Sequence, residues 1–208
     1  IIGSPLDIFQ RSKRFTKSKW LSSIKDAVLL QVRFIRSSMY FLPRDRVSRF
    51  VWARRTSSLN SVEQTLLKYI MQNPGVKRSK IYKEVNLNRA QIYEALYRLE
   101  KNLWLGRAHV PSADMASAVG FVYIENKTFD DIFFHGEDEI EKIDPSTKKE
   151  EIASYINHSR KDLVSYLLGI YGPMTISTLQ EHSRLFGEEL EKVISELFAE
   201  EKIKRVFV

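Results

Sequence analysis

The sequence predicts a mainly α-helical fold with small β-hairpins, of the α+β class, arranged as tandem modules. Three observations lead there. Three stretches repeat one order of elements, short helices with a 3.6-residue apolar period followed by strands with a two-residue period. Cap and breaker residues mark the junctions between them. At 208 residues with 43% apolar side chains, the chain can fill two to three small cores.

The first module is expected over residues 1–59. Ser4, with Pro5 at the first helical position and Asp7 in the first turn, opens a helix to about Arg14. Thr16 caps a second helix whose apolar side is Trp20, Leu21, Ile24, Ala27 and Val28. Residues 31–36 and 37–42 read as paired strands closed by Pro43, and 44–55 as an exposed basic helix leading away.

The second module is expected over 60–125. Asn60 or Ser61 caps a helix with Val62, Leu66, Tyr69 and Ile70 on one face, ended by Asn73-Pro74-Gly75. A short helix follows over 78–85. After Asn86-Leu87-Asn88 comes a longer one with Ile92, Ala95, Leu96 and Leu99 inward, then strands at 103–110 and 119–125. Helix, helix, helix, strand, loop, strand is the order of a winged helix, whose third helix enters the major groove.

Residues 126–158, with Gly136-Glu137-Asp138-Glu139 at their centre, read as an acidic linker with some helix and few contacts. The third module, 159–208, has Leu163, Leu167 and Ile170 on one face and a stop at Gly172-Pro173. Thr175 or Ser177 caps its next helix and Gly187 breaks the chain. Leu190, Val193, Ile194, Leu197 and Phe198 line a last helix before a strand at 203–208.

Two stretches resemble a known family. Residues 32–43, VRFIRSSMYFLP, are similar to the strand pair of winged-helix DNA-binding proteins grouped with the AlkZ-like DNA glycosylases, and residues 166–206 to their Gly-Pro-x-Thr turn and late helices. The resemblance implies tandem winged helices on DNA and, in the glycosylase branch, excision of damaged bases. The Gln-x-Gln or Gln-x-Asp motif of that branch is not present ahead of Pro5, and the first residue is Ile rather than Met, so only under the alternative reading of a glycosylase is a catalytic motif expected, upstream or replaced.

Charge is distributed unevenly. Residues 1–60 hold 13 Lys and Arg against 3 Asp and Glu, residues 61–110 hold 9 against 4, and residues 111–208 hold 11 against 19. A basic half beside an acidic half suits a chain that presents one end to a polyanion.

Within the basic half, Lys17, Lys19 and Lys25 are expected to reach phosphates from the helix that starts at Thr16. Arg33 is expected on the outer face of its strand, and Arg36, Ser37 and Ser38 form the main cluster at the hairpin tip. Lys77, Arg78 and Lys80 form a backbone clamp at the start of the short helix. Asn88, Arg89, Gln91 and Arg98 are the side chains suited to base edges, and Arg107 follows on the strand against the sugar-phosphate chain. If about six phosphates are neutralised by groups such as Lys17, Lys19, Arg33, Arg36, Arg78 and Arg107, the log-log salt slope should be near −5.

The last helix carries Glu188, Glu189, Glu191, Glu196, Glu200 and Glu201, so the third module should turn away from DNA and offers itself to a protein partner. There is no cysteine, the four histidines lie far apart, and no phosphate-cradling glycine loop occurs, so no catalytic residue, metal or cofactor is expected. No membrane partner is expected, and residence is expected in the cytoplasm. The reading is a duplex DNA-binding protein of repair or transcription, non-catalytic as it stands. The alternatives are an AlkZ-like base-excision glycosylase and a protein-interaction scaffold.

Overall fold

The computed structural model describes residues 29–35, 38–55, 58–109, 119–133 and 145–205. The two helices expected before residue 29 lie outside them. The protein is mainly helical with one four-stranded antiparallel sheet, an α+β architecture. The described chain divides into two compact units: 29–48 with 58–124, and 49–55 with 125–205. These boundaries differ from those expected at 59, 125 and 158.

The first unit begins with β1 (Leu29–Arg33) and β2 (Met39–Pro43), an antiparallel hairpin with Val32 opposite Tyr40. Its turn is closed by Phe34 N–H to Ser38 O at 3.1 Å and Ser38 N–H to Ile35 O at 2.8 Å. A short helix, α1 (Arg44–Arg49), follows Pro43. Beyond residue 58, after α2 (Val51–Arg54) of the second unit, come α3 (Ser61–Gln72), α4 (Arg78–Glu84), α5 (Arg89–Lys101), β3 (Leu105–His109) and β4 (Val119–Tyr123). Leu66, Ile70, Ile92, Leu96 and Leu99 are fully buried, as read for α3 and α5, while Val62 and Tyr69 of the face read for α3 are half-buried; Ile81 of α4 is fully buried as well.

The hairpin does not stand in a module of its own. The sheet runs β2-β1-β3-β4, with Gln31 opposite Arg107, so β1 extends the strands that follow α5. The physical reason is burial: Leu30 and Val32 are fully buried and need a partner surface. Gly106 makes room for Val32, since a Cβ there would sit 3.3 Å from its Cγ1. On its other side β4 is bridged by the turn after α3, where Val76 pairs with Phe121.

The second unit is helical: α2 (Val51–Arg54), α6 (Lys127–Phe133), α7 (Pro145–Tyr171), α8 (Ile176–Ser183) and α9 (Glu188–Ala199). Two expectations are corrected here. The stretch 44–55 is not one exposed basic helix, because it breaks at Phe50 and buries residues 50 to 55. Residues 126–158 are not a linker with few contacts, because Phe129 is buried against Trp52 at 4.8 Å and α7 is a 27-residue helix. Trp52 also stacks on Tyr155 at 5.2 Å, and Phe129 on Phe133 at 4.3 Å.

The break is sutured by one hydroxyl. Ser159 Oγ accepts the Ala53 backbone N–H at 3.0 Å and donates to the Arg49 carbonyl, so two groups freed by the break are satisfied. Arg54 donates to the His182 carbonyl at 3.0 Å, and burial, with Arg184 adding repulsion, pushes its pKa below the usual guanidinium range. Arg55 lies 3.7 Å from Asp130 and over the Phe129 ring.

Thr175 caps α8, as read from the sequence, but residues 203–205 form no strand, since no neighbouring strand supplies a ladder among the described residues. Three of the six glutamates near α9 are engaged by α7. Glu189 meets Arg160, Glu196 meets Asn157 and Lys161, and Glu200 meets Lys161. The hydrogen bonds from Lys161 and Lys202 hold the Glu200 carboxyl at about 2, well below its ordinary 4.5. A depressed pKa contributes stability that is complete above 4.5 and lost as pH falls toward 2. Acidification through that window should loosen α9 from α7, and side-chain NMR of Glu200 and Lys161 should show the pair parting there. Glu200 titrating at 4.5 would remove this account.

Candidate nucleic-acid interface

The sequence that builds α5 also sets what it shows. Asn88 caps it, and Ile92, Ala95, Leu96 and Leu99 turn inward, which leaves Arg89, Gln91, Tyr93, Glu94 and Arg98 exposed. Asn88 and Gln91 are bound to each other's backbone in a capping box: Gln91 N–H donates to Asn88 Oδ1 at 2.8 Å and Asn88 N–H to Gln91 Oε1 at 3.2 Å. Arg98 is shared between Glu94 at 3.4 Å and Glu63 at 3.7 Å. Of the four residues read as base contacts, Arg89 therefore has the least entangled polar end. It lies 5.7 Å from the Tyr82 ring centre.

Arg78, on α4, brings the clamp and α5 together. Its guanidinium lies 5.5 Å from the ring centre of Tyr93 on α5 and 5.8 Å from that of Phe121 on β4. Tyr93 remains 55% exposed, so the pair forms a cationic and aromatic ledge on the outer side of α5. Lys77 and Lys80 border a shallow depression of about 300 Å³ that includes Asn73, Gly75 and Ser79. Lys80 also reaches Glu84 at 3.6 Å, and Glu84 accepts the Tyr69 hydroxyl at 2.6 Å, which raises that phenol to about 12.

Arg33 and Arg107 take a different place from the one expected. Both bond the same carboxylate, Glu100, which is 1% exposed. Arg33 Nε donates to Oε2 at 3.0 Å, and Arg107 donates through Nε to Oε1 and through Nη2 to Oε2 at 3.1 Å. Tyr97 covers Arg33 at 5.0 Å and Phe121 covers Arg107 at 5.2 Å. One carboxylate thus neutralises one of the two charges and orients both guanidinium groups along the sheet.

Ser38 is exposed, while Arg36 and Ser37, like Lys17, Lys19 and Lys25, lie outside the described residues. The register places the β1–β2 turn at the end where β3 begins, beside the last turn of α5, because Gln31 faces Arg107 and β1 runs antiparallel to β3. Glu100 and Glu63 were not singled out in the sequence. Glu63 had a signal, standing three residues after the cap Asn60, and Glu100 had a weaker one, a carboxylate on the apolar side of its helix.

Among the described residues, no group of acidic residues and histidines could hold a metal ion, and no helix is long and apolar enough to cross a membrane. Comparison of the chain with protein-family models, curated proteins and solved structures returned no match.

Proposed function

We propose that the chain binds duplex DNA through the outer side of α5 and the start of α4, with α3, α4, α5, β3 and β4 serving as a winged helix. The observation that carries this is the exposed set on α5, Arg89, Gln91 and Tyr93, with Arg78 of α4 laid against Tyr93. These are the residue types that meet base edges and phosphates, on the helix that such a fold inserts in the major groove. The pairing of Val76 with β4 supplies the third short strand of that arrangement, and β1 and β2 widen its sheet.

The ion triad changes the expected electrostatics. With one of the two charges of Arg33 and Arg107 cancelled by Glu100, five of the six expected phosphate contacts are left, and the log-log salt slope should be about −4.5. Titration of a labelled 20–30 base-pair duplex between roughly 50 and 200 mM salt measures it. Arg78→Ala should weaken binding to every sequence and flatten the slope by about one. The reading fails if the intact chain does not bind a duplex at micromolar concentration and low salt.

A further inference from the structure

We infer that α5 reads guanine; this deepens the duplex-binding proposal above and rests on it. The argument concerns which hydrogen-bonding atoms the exposed side chains have left to give. Asn88 Oδ1 and Gln91 Oε1 each accept from a backbone N–H, at 2.8 and 3.2 Å. A backbone N–H can only donate, so the atom facing it is an oxygen, and the orientation of both side-chain amides follows.

Each oxygen keeps a second lone pair but is held against the backbone, so what Asn88 and Gln91 turn toward a ligand is the amide nitrogen, Nδ2 or Nε2. Arg89 has donors only. All three residues are exposed, and with both amide oxygens turned to the backbone of the helix start, the groups they turn outward are donors. An unencumbered Asn or Gln reads adenine by accepting from its N6 amino group while donating to N7. With the oxygen turned back onto the helix, that two-point match is lost. Guanine shows two acceptors in the major groove, O6 and N7, whereas adenine and cytosine each show an amino donor and thymine a single acceptor, O4, beside its methyl group. Donor set against donor leaves both groups desolvated and unmatched. Glu94, the carboxylate one turn further on, is held by Arg98 at 3.4 Å.

Capping alone does not demand this choice of residue. In α3 the same box is made with Glu63, which accepts the Asn60 N–H at 2.9 Å while Asn60 accepts the Glu63 N–H at 2.9 Å. A glutamate at 91 would cap α5 in the same way and show an acceptor outward. Gln91 keeps the box and shows a donor.

The test uses the whole chain and a pool of duplexes randomised over their central positions, with the bound fraction sequenced for wild type, Gln91→Glu and Arg89→Ala. Gln91→Glu keeps the helix cap by the precedent of Glu63, and an unchanged melting curve verifies it. Wild type should enrich guanine over adenine at one or two adjacent positions by about tenfold. Gln91→Glu should lose that preference and move toward cytosine, whose amino group suits a carboxylate, and Arg89→Ala should weaken the preference for guanine. Enrichment of adenine overturns the inference, as does a preference that survives both substitutions unchanged. Binding without any base preference overturns it and leaves duplex binding standing; absence of binding at low salt overturns both.

Discussion

Glu100→Gln should destabilise the first unit by about 3 kcal/mol, the cost of removing one partner from a buried ion pair when the cations stay behind. The carboxylate is nearly inaccessible, while Arg33 and Arg107 keep 20% and 23% of their side chains in contact with water. That partial exposure places the expected loss at the lower end for such pairs. Urea unfolding gives the magnitude, and hydrogen exchange at Leu30 to Arg33 locates it, since β1 meets β3 in the ladder at Gln31 and Arg107. Replacing all three by apolar residues, Arg33→Met, Arg107→Leu and Glu100→Leu, should recover most of the loss, because no uncompensated charge is then left inside. A Glu100→Gln protein within about 0.5 kcal/mol of wild type would show the triad to be a surface arrangement of the usual small worth.

Trp52→Ala should be the most damaging substitution in the second unit, about 3–5 kcal/mol for a large aromatic lost from a packed interior. Trp52 is 5% exposed and touches Phe129, Phe133 and Tyr155, which belong to α6 and α7. Its removal opens a cavity between a four-residue helix and two elements more than seventy residues further along. Hydrogen-exchange protection should fall throughout α6 and the middle of α7, while α5 and β3 keep theirs. Loss of protection confined to α2 would mean that the aromatic cluster adds little to the unit.

These two sites also mark where the sequence could be read and where it could not. The helices over 61–72, 78–84 and 89–101 were legible because period, cap and breaker agree, with Asn60, Asn88 and Asn73-Pro74-Gly75 as signals. The hairpin was legible from its alternation, but its partner was not. Strand pairing between residues 31 and 107 leaves no trace in a local pattern, and it moved the hairpin into another unit. Burial of Arg54 and Arg55 was hidden for a similar reason: two arginines in a row read as surface until a distant carbonyl and carboxylate are supplied. The stretch 126–158 reads as a linker because its composition is acidic and a lone apolar ring such as Phe129 carries no local sign of the partner that buries it.

For the interface, residue types on α5 were legible and their availability was not. Asn88 and Gln91 looked like free amides, and the capping box that engages them follows from the same spacing that marks the helix start. Arg33 and Arg107 read as phosphate contacts because nothing local joins residues 33, 100 and 107, which the fold brings onto one carboxylate.

The chain crosses from the first unit to the second at 48, returns at 56, and crosses again at 124. Neither unit is a contiguous stretch. During synthesis, β1 and β2 must wait for β3 before their sheet can close, and Val51 and Trp52 must wait for helices made much later. An apolar segment is thus held open while most of the protein is still on the ribosome, where aggregation and chaperone capture compete with folding. The same layout means that one proteolytic cut near residue 57 divides both units at once. A gene fragment beginning there would encode α3 to α5 without the strands that widen their sheet, and α6 to α9 without the tryptophan at their centre.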